Sequence, residues 1–188
     1  RRVASRLPAL TAPAAALLGG AAVVAVSAFT PFGSLWPALA ACGYVLTSGL
    51  ATARPRGGAL DWLVPPAFRA AEYGTVLVLA AHAEVNGALP AAFGLVAAVA
   101  YHHYDTVYRI RGNAGAPPNW LVQSILGHDG RTLLVTVLAV SLTASGFTTA
   151  LTVCAVCVAL MVLAESIRFW TARMPSAAPA VHDEGEPA

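Results

Sequence analysis

The sequence predicts an all-α fold, a polytopic membrane helix bundle of about six transmembrane helices with both termini on the cytoplasmic side. Three observations lead there. Hydrophobic residues make up 57% of the 188 residues and charged residues only 11%. The mean hydropathy of +0.67 exceeds what the core of a water-soluble domain this size demands. The apolar residues gather into runs near the ~20 residues a helix needs to cross the hydrocarbon layer, and arginines gather at every second break between runs, as cytoplasmic loops require.

The first segment, near residues 8–30, follows Arg1, Arg2 and Arg6. Its basic start resembles a secretory signal, and LAAC at 39–42 resembles a lipoprotein cleavage box. A whole apolar span and part of a second precede Cys42, however, far more than a signal core of about 7–15 residues. The second segment, near 34–53, closes on Arg54 and Arg56. The third, near 66–82, holds Arg69 at its start, and the fourth, near 88–108, runs into Arg109 and Arg111. The fifth, near 131–146, opens at Arg131, and the sixth, near 147–167, is followed by Arg168 and Arg173. The alternate breaks TPFGS, HAEVNG and TASG hold no arginine. Because only TASG separates the last two segments, five crossings with a re-entrant piece is the alternative. Residues 1–174 therefore form the membrane domain, while 175–188, PSAAPAVHDEGEPA, are expected to be a disordered cytoplasmic tail. The start on Arg1 instead of Met is what a piece of a longer protein would show.

Composition also excludes chemistry. All eleven basic residues are arginine, so no lysine is present for a Walker-type phosphate loop, a Schiff base or an amine general base. A formal net charge of +2, spread along the chain, does not suggest a nucleic-acid partner. Cys42, Cys154 and Cys157 lie inside apolar runs, where they read as small packing residues.

The ionisable residues that remain are concentrated in YHHYDTVYRIR, 101–111, at the cytoplasmic end of the fourth segment. On a helix, His102, Asp105 and Arg109 share one arc of about 60°, with Tyr101, Tyr104 and Tyr108 on the neighbouring arc. His103 points elsewhere. Arg69 with Glu72, and Glu165 with Arg168, stand at i, i+3 at the same end of two other segments. An ordinary explanation exists: arginines snorkel to the headgroups and neutralise a carboxylate one turn deeper, beside an interfacial tyrosine belt. The sharper one is a polar cavity at converging helix ends, since ionisable groups in a membrane usually face one another. On that reading Asp105, His102 and Glu72 are the candidate catalytic residues. Arg69, Arg109, Arg131 and Tyr104 are the candidate phosphate contacts, by the planar fork of the guanidinium. Asp105, Glu72 and Asp129 are candidate ligands for a divalent cation such as Mg. Asp129, in GHDGR, opens the fifth helix, whose N-terminus could also serve an anion. APPNWLVQSILG, with Trp120, and ALDWLVPPAF, with Trp62, suit short interfacial helices.

DWLVPP followed by AEY, then HHYDTVYR, APPNW and DGR, from about Arg54 to about Arg131, resemble an uncharacterised actinobacterial integral-membrane domain. That domain occurs in longer proteins, C-terminal to a nucleotidyltransferase-like region and a CDP-alcohol phosphatidyltransferase. The resemblance implies a fused or associated transferase domain and a part in phospholipid or phosphodiester headgroup synthesis. The two-metal motif of the phosphatidyltransferases themselves is absent: Ala53 and Arg54 lack the leading Asp-Gly, Gly57 and Asp61 follow too closely, and Pro65 stands where the final Asp belongs. No catalytic role transfers from that motif.

Two classes of function follow. One is an enzyme module, or an accessory to one, meeting a phosphate-bearing lipid or nucleotide at the bilayer surface. The other is a small-solute or proton-coupled transporter, or a non-catalytic membrane anchor or scaffold. Midplane stretches such as FGLVAAVA and LTVCAVCVAL carry no charge, which favours a surface site over a conduction path.

Overall fold

The computed structural model describes residues 11–53 and 58–173; Arg1, Arg2, Arg6, Arg54, Arg56 and the 175–188 tail lie outside the described residues. The described chain is helical without strands. Six long helices form: α1 (Thr11–Phe29), α2 (Trp36–Ala53), α3 (Val64–His82), α4 (Ala88–Arg111), α6 (His128–Ser141) and α7 (Ala144–Arg173). The six-residue α5 (Asn119–Ser124) and a single 3-10 turn at Asp61–Leu63 fall in the two segments expected to lie at the interface.

Proline and glycine set the breaks. Pro65 and Pro66 enter the first turn of α3, where an absent N–H is tolerated. Gly33 (φ 81°) and Gly87 (φ 95°) supply the left-handed backbone of the turns before α2 and α4. These turns share one end of the bundle, where Phe32 meets Phe147 edge-on at 5.3 Å and the His82 ring Nδ1 donates to the Thr30 carbonyl at 3.2 Å. The starts of α3 and α6 and the ends of α4 and α7 come together at the other end, so the long helices alternate in direction.

Packing divides the bundle in two. α1 lies against α2 and α3, α4 lies against α7, and α6 bridges to α2 and α3 while touching α7 only slightly. One core gathers Val23, Ala41, Tyr44 and Phe68 from α1 to α3; the other gathers Leu79, Leu95, Val135, Phe147 and Leu151. Large apolar side chains also cover the outside, with Leu18 71%, Leu46 70% and Leu160 64% exposed.

Two helices, over Ala12–Phe29 and Ala144–Arg173, are long and apolar enough to cross a membrane. Of the other four, α3, α4 and α6 fall short for visible reasons. α3 carries Arg69 and Glu72, and α4 ends in the ionisable run from His102 to Arg111. α6, expected over 131–146, is a helix of 14 residues, about 21 Å at 1.5 Å per residue, because the chain turns at Leu142 and Thr143 and hands the following residues to the 30-residue α7.

Candidate functional site

Two buried ion-pair networks and several open cavities lie at the end where α4 and α7 finish. Arg109, near the end of α4, is fully buried. Its guanidinium donates in a fork to Glu165, Nη1 to Oε1 at 3.1 Å and Nη2 to Oε2 at 2.6 Å, and Nη2 also pairs with Asp105 Oδ2 at 2.7 Å. The Phe169 ring lies 3.8 Å below it. Asp105 Oδ1 accepts from Ser166 Oγ at 3.1 Å and from Trp170 Nε1 at 2.9 Å. One α4 arginine thus ties α4 to α7, and the planar fork explains why arginine stands there.

The second network ties α3 to α6. Arg131 Nε donates to Glu72 Oε1 at 2.5 Å and Nη2 to Oε2 at 3.2 Å. Its Nη1 donates to the carbonyls of Ile125 (2.9 Å) and Leu126 (2.5 Å), which precede Gly127 and the start of α6. Glu72 and Arg131 are 2% and 5% exposed. Such buried charges are tolerated in an apolar interior only when paired and hydrogen-bonded.

Several sequence expectations change accordingly. The i, i+4 relation of Asp105 and Arg109 holds as an ion pair, but Asp105 and Glu72 do not share a centre: α4 packs chiefly on α7, so each carboxylate finds a different arginine. The local pairs Arg69–Glu72 and Glu165–Arg168 are not formed either, since Arg131 and Arg109 take the two carboxylates from across the bundle. Asp129 stays at the start of α6 and accepts the Gly130 N–H at 2.9 Å, occupying the helix N-terminus proposed for an anion. The donor set does not fit a divalent cation: the Asp105 and Glu72 carboxylates are held by guanidiniums, and among the described residues no three His, Cys, Asp or Glu side chains gather closely enough to hold a metal ion. His102 is buried beside these networks with Nδ1 unpartnered, and Tyr104 stands exposed on the outer face of α4.

Arg69 goes elsewhere. With Thr52, Val64, Pro65, Phe68, His103 and His128 it lines a cavity of about 210 Å³ between α2, α3, α4 and α6. It makes no ion pair among the described residues. His103 Nδ1 shares a 3.2 Å hydrogen bond with the Tyr73 hydroxyl, and His128 Nδ1 a 3.0 Å one with the Tyr44 hydroxyl. Where the tyrosine donates, the imidazole carries its proton on Nε2 and becomes a donor; the Tyr44 hydroxyl has the Phe68 carbonyl, at 3.5 Å, as a second acceptor beside His128 Nδ1. The His128 ring stacks on Phe68, centroids 4.0 Å apart, which fixes its plane. His103, which points away from the His102–Asp105–Arg109 arc, and His128 line this cavity, and Tyr44 bonds to His128. His128 stood inside the GHDGR motif, but its partner Tyr44 lies 84 residues away.

A family model described as a family of unknown function (DUF5941) matches residues 1–188. No curated protein and no solved structure matches the chain.

Proposed function

We propose a role for a chain that belongs, over its whole length, to the DUF5941 family of unknown function: it is a multi-pass membrane module that binds a phosphate-bearing lipid or nucleotide at its cytoplasmic end. It works as part of, or accessory to, a CDP-alcohol phosphatidyltransferase-type enzyme of headgroup synthesis. The observation that carries this is the cavity of Arg69, His103 and His128, where one guanidinium without a carboxylate partner and two imidazoles line the same space. Arginine and imidazole N–H groups are donors suited to phosphate oxygens. The arginines favour the cytoplasmic side, because Arg69, Arg109, Arg111, Arg131, Arg168 and Arg173 all belong to this end and none to the other. The six alternating helices and the apolar outer surface support a bundle embedded as a whole. The transferase partnership draws on the likeness of DWLVPP, HHYDTVYR and DGR to the membrane domain that follows such enzymes.

A second reading, a non-catalytic anchor, has its own support in the two buried ion-pair networks, which hold helices together and present no open carboxylate. One experiment separates the two. The purified chain is titrated with a CDP-activated lipid, and Arg69→Gln weakens binding by about 10- to 100-fold, the ~1.5–3 kcal/mol of a charge-assisted hydrogen bond. The half-exposed position lets the variant fold normally. Absence of binding in the parent chain, or binding unaffected by Arg69→Gln, leaves the anchor reading in possession.

A further inference from the structure

We propose that the face of α4 turned to the last turns of α7 is a separate binding site for a phosphodiester that carries an alkylammonium group, as a phosphocholine-type headgroup does. The proposal rests on the membrane reading above but not on the Arg69 cavity, which uses a different face of α4. Tyr101, Tyr104, Tyr108 and Trp170 line, with Asp105, a cavity of about 260 Å³. All four rings reach the surface, 39%, 61%, 57% and 37% exposed in that order.

The walls are held in place by the protein's own hydrogen bonds. The Tyr101 hydroxyl donates to Ser166 Oγ (3.1 Å), which donates to Asp105 Oδ1 (3.1 Å), and Trp170 Nε1 donates to the same oxygen (2.9 Å). The Tyr104 and Tyr108 rings lie 5.1 Å apart. Electron-rich ring faces attract a cation. The buried triad adds to that, since the two carboxylates of Asp105 and Glu165 face the single guanidinium of Arg109, a formal excess of one negative charge within the triad, with the Arg173 guanidinium 4.7 Å from the Phe169 ring that Arg109 also stacks on. Both Asp105 oxygens already accept hydrogen bonds or an ion pair, so the carboxylate acts through its charge. That suits a quaternary ammonium, which needs no acceptor, better than a primary one.

Tyr104 and Tyr108 also wall an adjoining cavity with Arg111, whose exposed guanidinium makes no ion pair among the described residues. A phosphate next to the ammonium therefore meets a guanidinium next to the aromatic box. An interfacial belt of tyrosines would require neither the buried carboxylate nor the flanking arginine.

The test is calorimetric titration of the purified chain in a maltoside detergent with short-chain phosphatidylcholine, short-chain phosphatidylglycerol and soluble glycerophosphocholine. Phosphatidylcholine binds, and phosphatidylglycerol, with the phosphate but no cation, binds at least about threefold more weakly. Tyr104→Leu and Tyr108→Leu, both at exposed positions, each weaken phosphatidylcholine by about two- to fivefold, whereas Tyr104→Phe, which keeps the ring, does not. Arg111→Gln weakens both lipids. Glycerophosphocholine binding as tightly as the lipid makes the soluble headgroup diester the ligand; binding that needs the acyl chains makes it the lipid. Equal binding of the two lipids, or phosphatidylcholine binding untouched by both leucine variants, overturns the proposal. The titrations are repeated in the Arg69→Gln background, which weakens the Arg69 cavity and leaves the Tyr104, Tyr108 and Arg111 effects in place, so failure here and failure of the Arg69 cavity are distinguishable.

Discussion

Arg109 and Arg131 play similar parts with unequal reserves. Arg131 has one carboxylate, Glu72, and two backbone carbonyls, whereas Arg109 has both Glu165 and Asp105. Removing the partner of a buried charge leaves that charge uncompensated, so Glu72→Ala destabilises the chain by about 3–5 kcal/mol. Glu165→Gln loses less, about 1–3 kcal/mol, because Asp105 still faces the guanidinium. Denaturant unfolding of the purified variants reads the order, and a larger loss for Glu165→Gln contradicts it. At this scale the sequence was legible only within a turn of helix. The Asp105–Arg109 pair follows from i, i+4 spacing, but Glu72 and Arg131 are 59 residues apart, and no spacing rule chooses that partner over Arg69. Ser166 and Trp170, four apart on α7, carried a weak signal, since they share a face with Asp105 as their target.

Helix contact is closest where side chains are smallest. A Cβ on Gly19 would overlap Thr47 of α2, and one on Gly20 would come to 2.9 Å of the Ala71 Cβ of α3, so α1 approaches both neighbours through adjacent glycines. Gly19→Ala therefore forces α1 from α2 and destabilises by about 1–3 kcal/mol. Gly43→Ala, with nothing within 4 Å of its Cβ, is neutral or gains up to ~1 kcal/mol of helix propensity. Matched thermal unfolding curves distinguish the two, and equal shifts would rule out the close approach. The existence of each long helix was plain from its apolar run. The α6–α7 boundary was not, because a turn of two residues leaves no Gly-Pro signature, and the residues of TASG propagate α7 as readily as they interrupt it.

For the whole molecule, charge placement and packing agree. The end that gathers Arg69, His103, His128, both ion-pair networks and the aromatic box is also the end with all the described arginines, while the other is closed by Phe32, Phe147, His82 and glycine turns. That asymmetry was readable from arginine counts alone, whereas the sorting of polar residues among separate sites depends on which helices pack together. The central claim, a membrane-embedded bundle with its polar end in the cytoplasm, is tested most directly by thiol labelling in cells. Cys42, Cys154 and Cys157 are replaced, and single cysteines are placed at the exposed positions Asn86→Cys, beside the closed end, and Asn113→Cys, after α4. An impermeant thiol reagent should label Asn86→Cys in intact cells and Asn113→Cys only after lysis. Labelling of Asn113→Cys in intact cells, or of neither site until lysis, would contradict the account.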